Sequence, residues 1–331
     1  MFTGMAGERA SDRAATAEAG TTGHAAAGAP SAGGPDAAGD AAPPGAWAAS
    51  VRAALAGSRF ADVRWAAETG STNADALDLA RDGAAEGIVV VADHQTTGRG
   101  RRARTWVAPP GGSLLVSVLL RPHAPVAGGT TMAAAVAMAE AVQDVTGVAA
   151  GLKWPNDLVV GDRKLAGILA EADWPAGSTI SAGYRPPADH LRAVVVVGIG
   201  LNVAWPRPLP PELAEVADTA VSLDRLLTPE GEDRMSPADR DRLRADLLTA
   251  YLRRLAARYG ELVVSRSTAG VMAAWRDRSA TLGRRVRVDL GADDVEGTAV
   301  DVTPDGHLVV ATDTGDRRTL AVGDVVHLRP A

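Results

Sequence analysis

The chain contains no cysteine, which excludes a disulfide framework, a thiolate nucleophile and any zinc or iron–sulfur site built on sulfur ligands. Aromatic residues make up only 4% of it, too few to interleave with basic residues as a stacking platform for nucleic acid. A positive excess is also missing. The formal net charge is −6, so no overall field draws the molecule onto nucleic acid or anionic lipid. Apolar runs such as Val194 to Val197 stop far short of the ~20 residues needed to cross a bilayer, and the N-terminus is polar where a signal peptide needs an apolar core. The expectation is a cytoplasmic protein with no membrane partner.

Lysine is the other scarcity. The 34 basic residues are arginine except for Lys153 and Lys164. A bias that replaces lysine wherever a generic positive charge suffices leaves these two as candidates for work a guanidinium cannot do, because an ammonium is a compact point charge with a different reach.

The 331 residues, at ~150 per domain, suggest two domains, and 46% hydrophobic with 22% charged residues is a globular composition. Residues 1–50 hold no Leu, Ile or Val, with Phe2 and Trp47 their only aromatics. They read as a disordered Ala/Gly/Pro-rich tail or a misassigned start, so that deleting residues 1–47 is expected to leave activity intact. A main domain over 51–278 and a small module over 279–331 follow. Ser71 or Thr72 is placed to cap a short helix from Asn73 to Ala80. Strands are expected over 87–92, 113–120, 158–160, 165–171 and 193–199, with a buried helix over 130–145. Leu243, Leu247, Tyr251, Leu255 and Tyr259 recur at steps of four along a helix from Pro237 to Tyr259, preceded by a surface loop from Pro229. Five short strands after Leu282 suit a small barrel.

Asp93 to Gly112 forms a loop of about twenty residues, a length usually functional or disordered. It carries Gly98-Arg99-Gly100-Arg101-Arg102-Ala103-Arg104, whose glycines admit close backbone approach and whose arginines offer bidentate donors to carboxylate and phosphate oxygens. The spacing is not that of a P-loop, and no GxGxxG opens a helix after a strand. A more specific segment follows: Lys153-Trp154-Pro155-Asn156-Asp157, then Asp162 to Glu171 with Lys164. It sets a rigid turn and a carboxylate beside cations, an arrangement suited to Mg²⁺ and phosphates. Trp154 suits core packing as well, and Asp157 a simple pairing with Lys153.

Together with Glu68-Thr69-Gly70-Ser71-Thr72-Asn73, His94-Gln95 and Gly198-Ile199-Gly200-Leu201-Asn202-Val203, these blocks resemble, in order and spacing, the biotin protein ligase family. The resemblance covers residues 62–206 and extends to the C-terminal module. It implies an α/β (α+β) mixed sheet flanked by helices, akin to class II aminoacyl-tRNA synthetase catalytic domains, plus a small SH3-like β-barrel. It also implies a two-step reaction: biotin and ATP give biotinyl-5′-AMP and pyrophosphate, and biotin then passes to one lysine of the biotin carboxyl carrier domain of an acyl-CoA or pyruvate carboxylase.

By the same resemblance, Ser71, Thr72, Asn73 and Gln95 hold the biotin head group, Arg99, Gly100 and Arg101 the adenylate-forming loop, and Lys164 the biotin carboxylate. Arg99, Arg101, Arg102, Lys153, Asn156 and Asn202 would meet ATP or the adenylate, and Asp157 the Mg²⁺. Lys164, Arg101 and Lys153 are the candidate catalytic residues, since joining a carboxylate to a phosphate requires cations that neutralise both. Trp106-Val107 and Gly111 to Leu114 suit the lining of an aliphatic chain or the core. Two departures stand out: Ala103 replaces a common glycine, and the winged-helix DNA-binding domain of repressor-type members is missing, which implies no DNA partner. Monomer and weak homodimer are both open. A lipoate ligase using the same acyl-adenylate chemistry is the nearest alternative, and an arginine-loop nucleic-acid binder a distant one.

Overall fold

The structure, a computed structural model, describes residues 45–173, 191–228, 235–291, 293–321 and 323–328. The expected tail as far as residue 44 and most of the loop beginning at Pro229 lie outside the described residues.

Ser113–Leu120 (SLLVSVLL) is buried at every position, so it sits in the middle of a sheet, where both faces are covered. That sheet has seven strands: β1 (Val63–Thr69), β2 (Val89–Gln95), β3 (Ser113–Leu120), β4 (Gly151–Lys153), β5 (Asp157–Val160), β6 (Arg163–Asp173) and β7 (Val194–Asn202). Their order is β1-β2-β3-β7-β6-β5-β4, with β1 and β2 parallel and the other pairs antiparallel. Side chains alternate between faces along a strand. Val116, Val118, Val195 and Val197 join the main core, whereas Leu119 and Val196 meet Ala76 and Ala80 on the opposite face.

Among the described residues six α-helices accompany the strands: α1 (Ala46–Ala54), α2 (Thr72–Arg81), α3 (Gly129–Thr146), α4 (Leu223–Leu227), α5 (Pro237–Ser265) and α6 (Ala269–Asp277). The small, fully buried side chains of Ala133, Ala134, Ala137 and Ala141 let α3 pack closely. Helix α5 starts at Pro237, with Ser236 Oγ accepting from Asp239 N–H at 3.1 Å. Leu247, Tyr251, Leu255 and Tyr259 form its buried stripe, and it runs on to Ser265.

The tail boundary is corrected by α1. Trp47, Ala48 and Val51 are buried there, and the Arg244 guanidinium lies 4.2 Å from the centroid of the Trp47 ring. One large ring supplies the apolar area that the surrounding alanines lack. Deletion through residue 47 would therefore remove a core side chain.

The C-terminal part is a five-stranded antiparallel sheet of the small SH3-like kind expected, with β8 (Arg285–Asp289), β9 (Asp294–Val302), β10 (Leu308–Ala311), β11 (Arg317–Leu320) and β12 (Asp324–His327) in the order β11-β10-β9-β8-β12. Trp154 fastens it to the first sheet: its indole Nε1–H donates to Gly306 O at 2.8 Å and its backbone N–H to Thr281 Oγ1 at 3.0 Å. At this seam His327 Nε2 lies 3.5 Å from Thr281 Oγ1, and Nδ1 lies 3.8 Å from Asp162. Burial, then the positive charges of Arg284 and Lys153, push the imidazole down to about 4, against a weaker upward pull from Asp162.

Two outcomes follow. Trp47→Ala should cost about 3 kcal/mol, read from the denaturant midpoint at unchanged slope. The folded state binds fewer protons at His327 than the unfolded chain between pH 4 and 6.5, so this contribution is complete above pH 6.5 and is lost as pH falls toward 4. A melting series from pH 7 to 5 should fall less steeply in His327→Gln than in wild type.

Candidate active site

A cavity of about 960 Å³ opens on the α2 side of the large sheet, bounded by the 93–112 loop, the β4–β5 turn and the start of β12. Its floor is made by glycines. Gly198 and Gly200 project to the same face of β7, and Gly167 on β6 is the register partner of Gly200. A Cβ on Gly200 would lie 2.4 Å from the Trp106 ring, one on Gly167 2.9 Å from it, and one on Gly198 2.1 Å from Asn73 Oδ1. The bare backbone is thus the surface on which the indole and the amide rest.

Helix α2 points its N-terminus at this floor. Ser71 occupies the N-cap position but makes no side-chain cap. Gln95, from the end of β2, supplies it instead: its Oε1 accepts from Thr72 N–H at 2.8 Å and from Thr72 Oγ1–H at 2.9 Å. Ser117 Oγ, buried in mid-strand, lies 2.8 Å from Thr72 Oγ1 and donates to Asn73 Oδ1 at 2.6 Å. Asn73 Nδ2–H donates to Glu171 Oε2 at 2.8 Å. A polar chain therefore runs Gln95–Thr72–Ser117–Asn73–Glu171.

The long loop is folded on itself. Gly100 N–H donates to Arg104 O at 2.7 Å and Trp106 N–H to Gly98 O at 2.9 Å, with a bridge between Arg99 and Thr105. A Cβ on Gly98 would strike Trp106 O at 2.5 Å, so the hairpin needs glycine there. Arg102, at φ 52°, holds the left-handed conformation a non-glycine residue rarely adopts.

The cations converge on the middle of the cavity. Lys164 Nζ lies 2.7 Å from Asp157 Oδ1 and 5.5 Å from the centroid of the Trp106 ring. Burial holds Lys153 below the ordinary ammonium value, opposed by Asp157. Arg101 is held down by burial and then by Arg102, against a pull from Asp157; it donates to Gly323 O at 3.3 Å and reaches Asn156 Oδ1 at 3.5 Å. Asn156 is fixed by its Nδ2–H donating to Ile168 O at 2.7 Å. At the far end Trp205, Leu213 and Ala220 form a small apolar cluster on the wall. Asn202 steadies it by donating to Val221 O at 3.2 Å.

Every residue given a binding or catalytic role from the sequence lines this cavity except Arg102; of the two further stretches, Trp106 and Val107 line it, whereas Gly111 to Leu114 do not and Leu114 is a core residue. The Arg102 guanidinium turns to the C-terminal sheet, 3.4 Å from Asp324 Oδ2 and 3.1 Å from Asp289 O, which removes it from the cavity wall. Arg104 also pairs with Asp324. Trp154 packs as a core residue at the seam and lines the cavity as well. Ser117 and Asp324 were not singled out from the sequence, and Glu171 was named only as the end of a block, with no role of its own. Ser117 had a signal, a hydroxyl interrupting an otherwise apolar strand; Asp324 had none.

Asp157 can contribute one carboxylate to a cation. Among the described residues no group of three or more His, Cys, Asp or Glu could hold a metal ion. This donor set suits magnesium carried on substrate phosphates, since that ion keeps several waters and takes one or two carboxylates.

A mixed sheet with a basic glycine hairpin over a cavity, cations at its centre and apolar or aromatic walls beside them, is a site shaped to bring two anions together. Residues 66–180 match the model of the biotin/lipoate A/B protein ligase family, and residues 281–328 that of the biotin protein ligase C-terminal domain. The biotin–[acetyl-CoA-carboxylase] ligase of Mycobacterium tuberculosis is 37% identical over 285 residues, 83% of this chain and 92% of the relative. The Paracoccus denitrificans ligase of the same description is 36% identical over 61% of this chain and 83% of its own length. Among solved structures, the Aquifex aeolicus biotin protein ligase in complex with biotin and ATP aligns at TM-score 0.61 and 25% identity, covering 82% of this chain and all of that one. The chain belongs to the biotin protein ligase family.

Gly200→Ala should dislodge the Trp106 indole, whereas Gly100→Ala, whose new Cβ comes only to 3.3 Å of Arg104 O, should leave it seated. Acrylamide quenching, referenced to Trp106→Phe, should rise in the first variant alone.

Proposed function

We propose that this chain is an ATP-dependent biotin protein ligase. It activates biotin as biotinyl-5′-AMP with release of pyrophosphate, then transfers biotin to one lysine on the carboxyl carrier domain of a carboxylase. The observation that carries this reading is the meeting of Lys164, Arg101 and Lys153 on one cavity wall, between the polar floor and the apolar cluster around Trp205.

A carboxylate attacking the α-phosphate brings two anions into contact, so fixed cations that grip both as charge shifts to the leaving pyrophosphate lower the barrier. Lys164 holds the biotin carboxylate, with Asp157 as the counter-ion it leaves, and Arg101 and Lys153 meet the phosphates. Magnesium bound on those phosphates, with Asp157 in reach, would neutralise further charge. Gln95, Thr72 and Asn73 offer hydrogen-bonding groups to a polar bicyclic head, while the Trp106 indole covers the aliphatic chain. A dithiolane head has no strong donor or acceptor to match this polar set, which favours biotin over lipoate. Trp205, Leu213 and Ala220 take the adenine, with Asn202 holding that wall. The product of the first step is a mixed anhydride, and the 93–112 hairpin shields it from water. The acceptor amine then attacks the acyl carbon and AMP leaves, with no protein nucleophile.

The carrier partner, a cytoplasmic location, magnesium use and a monomeric or weakly dimeric state belong to the same reading. Among the described residues no helix is long and apolar enough to cross a membrane.

Purified protein should catalyse ATP–pyrophosphate exchange with biotin and not with lipoate or octanoate. Exchange with lipoate alone would overturn the assignment. Lys164→Arg should fold normally and lose about a hundredfold in exchange, because a planar guanidinium does not replace an ammonium between Asp157 and the Trp106 ring.

A further inference from the structure

Glu171, near the end of β6, is shared between two elements that both line the cavity, the start of α2 and the hairpin. Its Oε1 lies 3.1 Å from Arg99 Nη1, on the hairpin. Its Oε2 accepts from Asn73 Nδ2–H at 2.8 Å, on the floor. The floor end is rigid: Asn73 is buried, rests on Gly198 and has its Oδ1 taken by Ser117. The hairpin end is looser, with the Arg99 side chain 44% exposed and that of Glu171 27% exposed. A charge-assisted contact at that depth is strong enough to bias the position of a loop and weak enough to open.

Glu171 also helps to set the sense of the Asn73 amide, together with Leu169 O, which accepts from the same Nδ2 at 3.2 Å. A carboxylate only accepts, so Nδ2 must face β6 and Oδ1 must face Ser117. One of the atoms that orient the floor therefore belongs to the group that holds the hairpin. We propose that Glu171 is a positioning residue that latches the 93–112 hairpin onto the floor through Arg99, so that the reactive acyl-adenylate is kept until an acceptor lysine arrives. This rests on the biotin-ligase reading for the chemistry, while the latch itself can be read without it.

Glu171→Gln keeps an oxygen to accept from Asn73 and removes the charge that holds Arg99; Glu171→Ala removes both. The first measurement is limited trypsin digestion of the full chain, followed by mass spectrometry at the loop arginines. Glu171→Gln should be cut between residues 99 and 105 about fivefold faster than wild type at an unchanged melting temperature. In an Arg99→Gln background the same change should add nothing at the remaining loop arginines. The second measurement supplies biotin, ATP and serum albumin, and counts biotin on albumin lysines as escaped adenylate. Escape should rise severalfold in Glu171→Gln with KM for biotin within twofold of wild type, and Glu171→Ala should raise that KM as well. Wild-type digestion and escape in Glu171→Gln would overturn the proposal, as would an undiminished effect in the Arg99→Gln background. Faster digestion in a protein whose wild type shows no exchange with biotin would sustain the latch and refute the function.

Discussion

Mutual repulsion among the positive charges of the cavity is the constraint around which the rest is arranged. Two like charges 4 Å apart at a protein surface repel by about 4 kcal/mol, and here Arg99, Arg101, Lys153 and Lys164 share one cavity in a chain of net charge −6. Three of these four cations face a carboxylate from a different element, and Lys153 feels the charge of Asp157 without pairing to it. Asp157 takes Lys164, Glu171 takes Arg99, and Asp324 takes Arg102 and Arg104 and approaches Arg101. These carboxylates keep the cations gathered before any substrate anion arrives. They are also what a substrate carboxylate or phosphate must displace, so the site holds its charge without holding it permanently.

The floor solves the complementary problem of space. A ligand ring needs a flat wall, and a strand normally presents a side chain at every second residue. Placing glycine at 198 and 200 of β7, with Gly167 opposite Gly200, clears a window on one face. The intervening Ile199 is buried on the other face and keeps the strand in the core. Loss of side-chain packing at two positions is tolerable because β3, β6 and β7 are otherwise sealed by α3 and the long helix α5.

Much of this was legible in the sequence, and the limits have physical causes. Ser113 to Leu120, the Thr130 to Val145 helix and the stripe from Leu247 to Tyr259 follow from periodicity and burial alone, and each is found within a few residues of where it was expected. The residues that line the cavity were legible because they lie in short blocks that resemble those of a known family. What sequence order hides is partnership across long separations. Arg102 and Asp324 are 222 residues apart, and nothing local reveals that this arginine faces a carboxylate of the second sheet instead of the cavity. Trp47 was hidden for another reason: composition averaged over fifty residues conceals a single ring able to anchor a short helix.

The second sheet is more than an appendage by the same logic. Trp154 ties the turn bearing Asn156 and Asp157 to Gly306 and Thr281, and Ala280 N–H donates to Leu152 O at 2.8 Å. From the other side Gly323 O and Asp324 hold the arginine hairpin. The two segments that carry the chemistry are thus gripped by opposite ends of one small sheet, and neither contact lies within the large sheet itself. The small sheet is coupled to the hairpin and to the Asn156–Asp157 turn at once, and Arg101 spans the two by reaching both Gly323 O and Asn156 Oδ1. That coupling makes the C-terminal sheet part of the wall that positions both segments of the cavity.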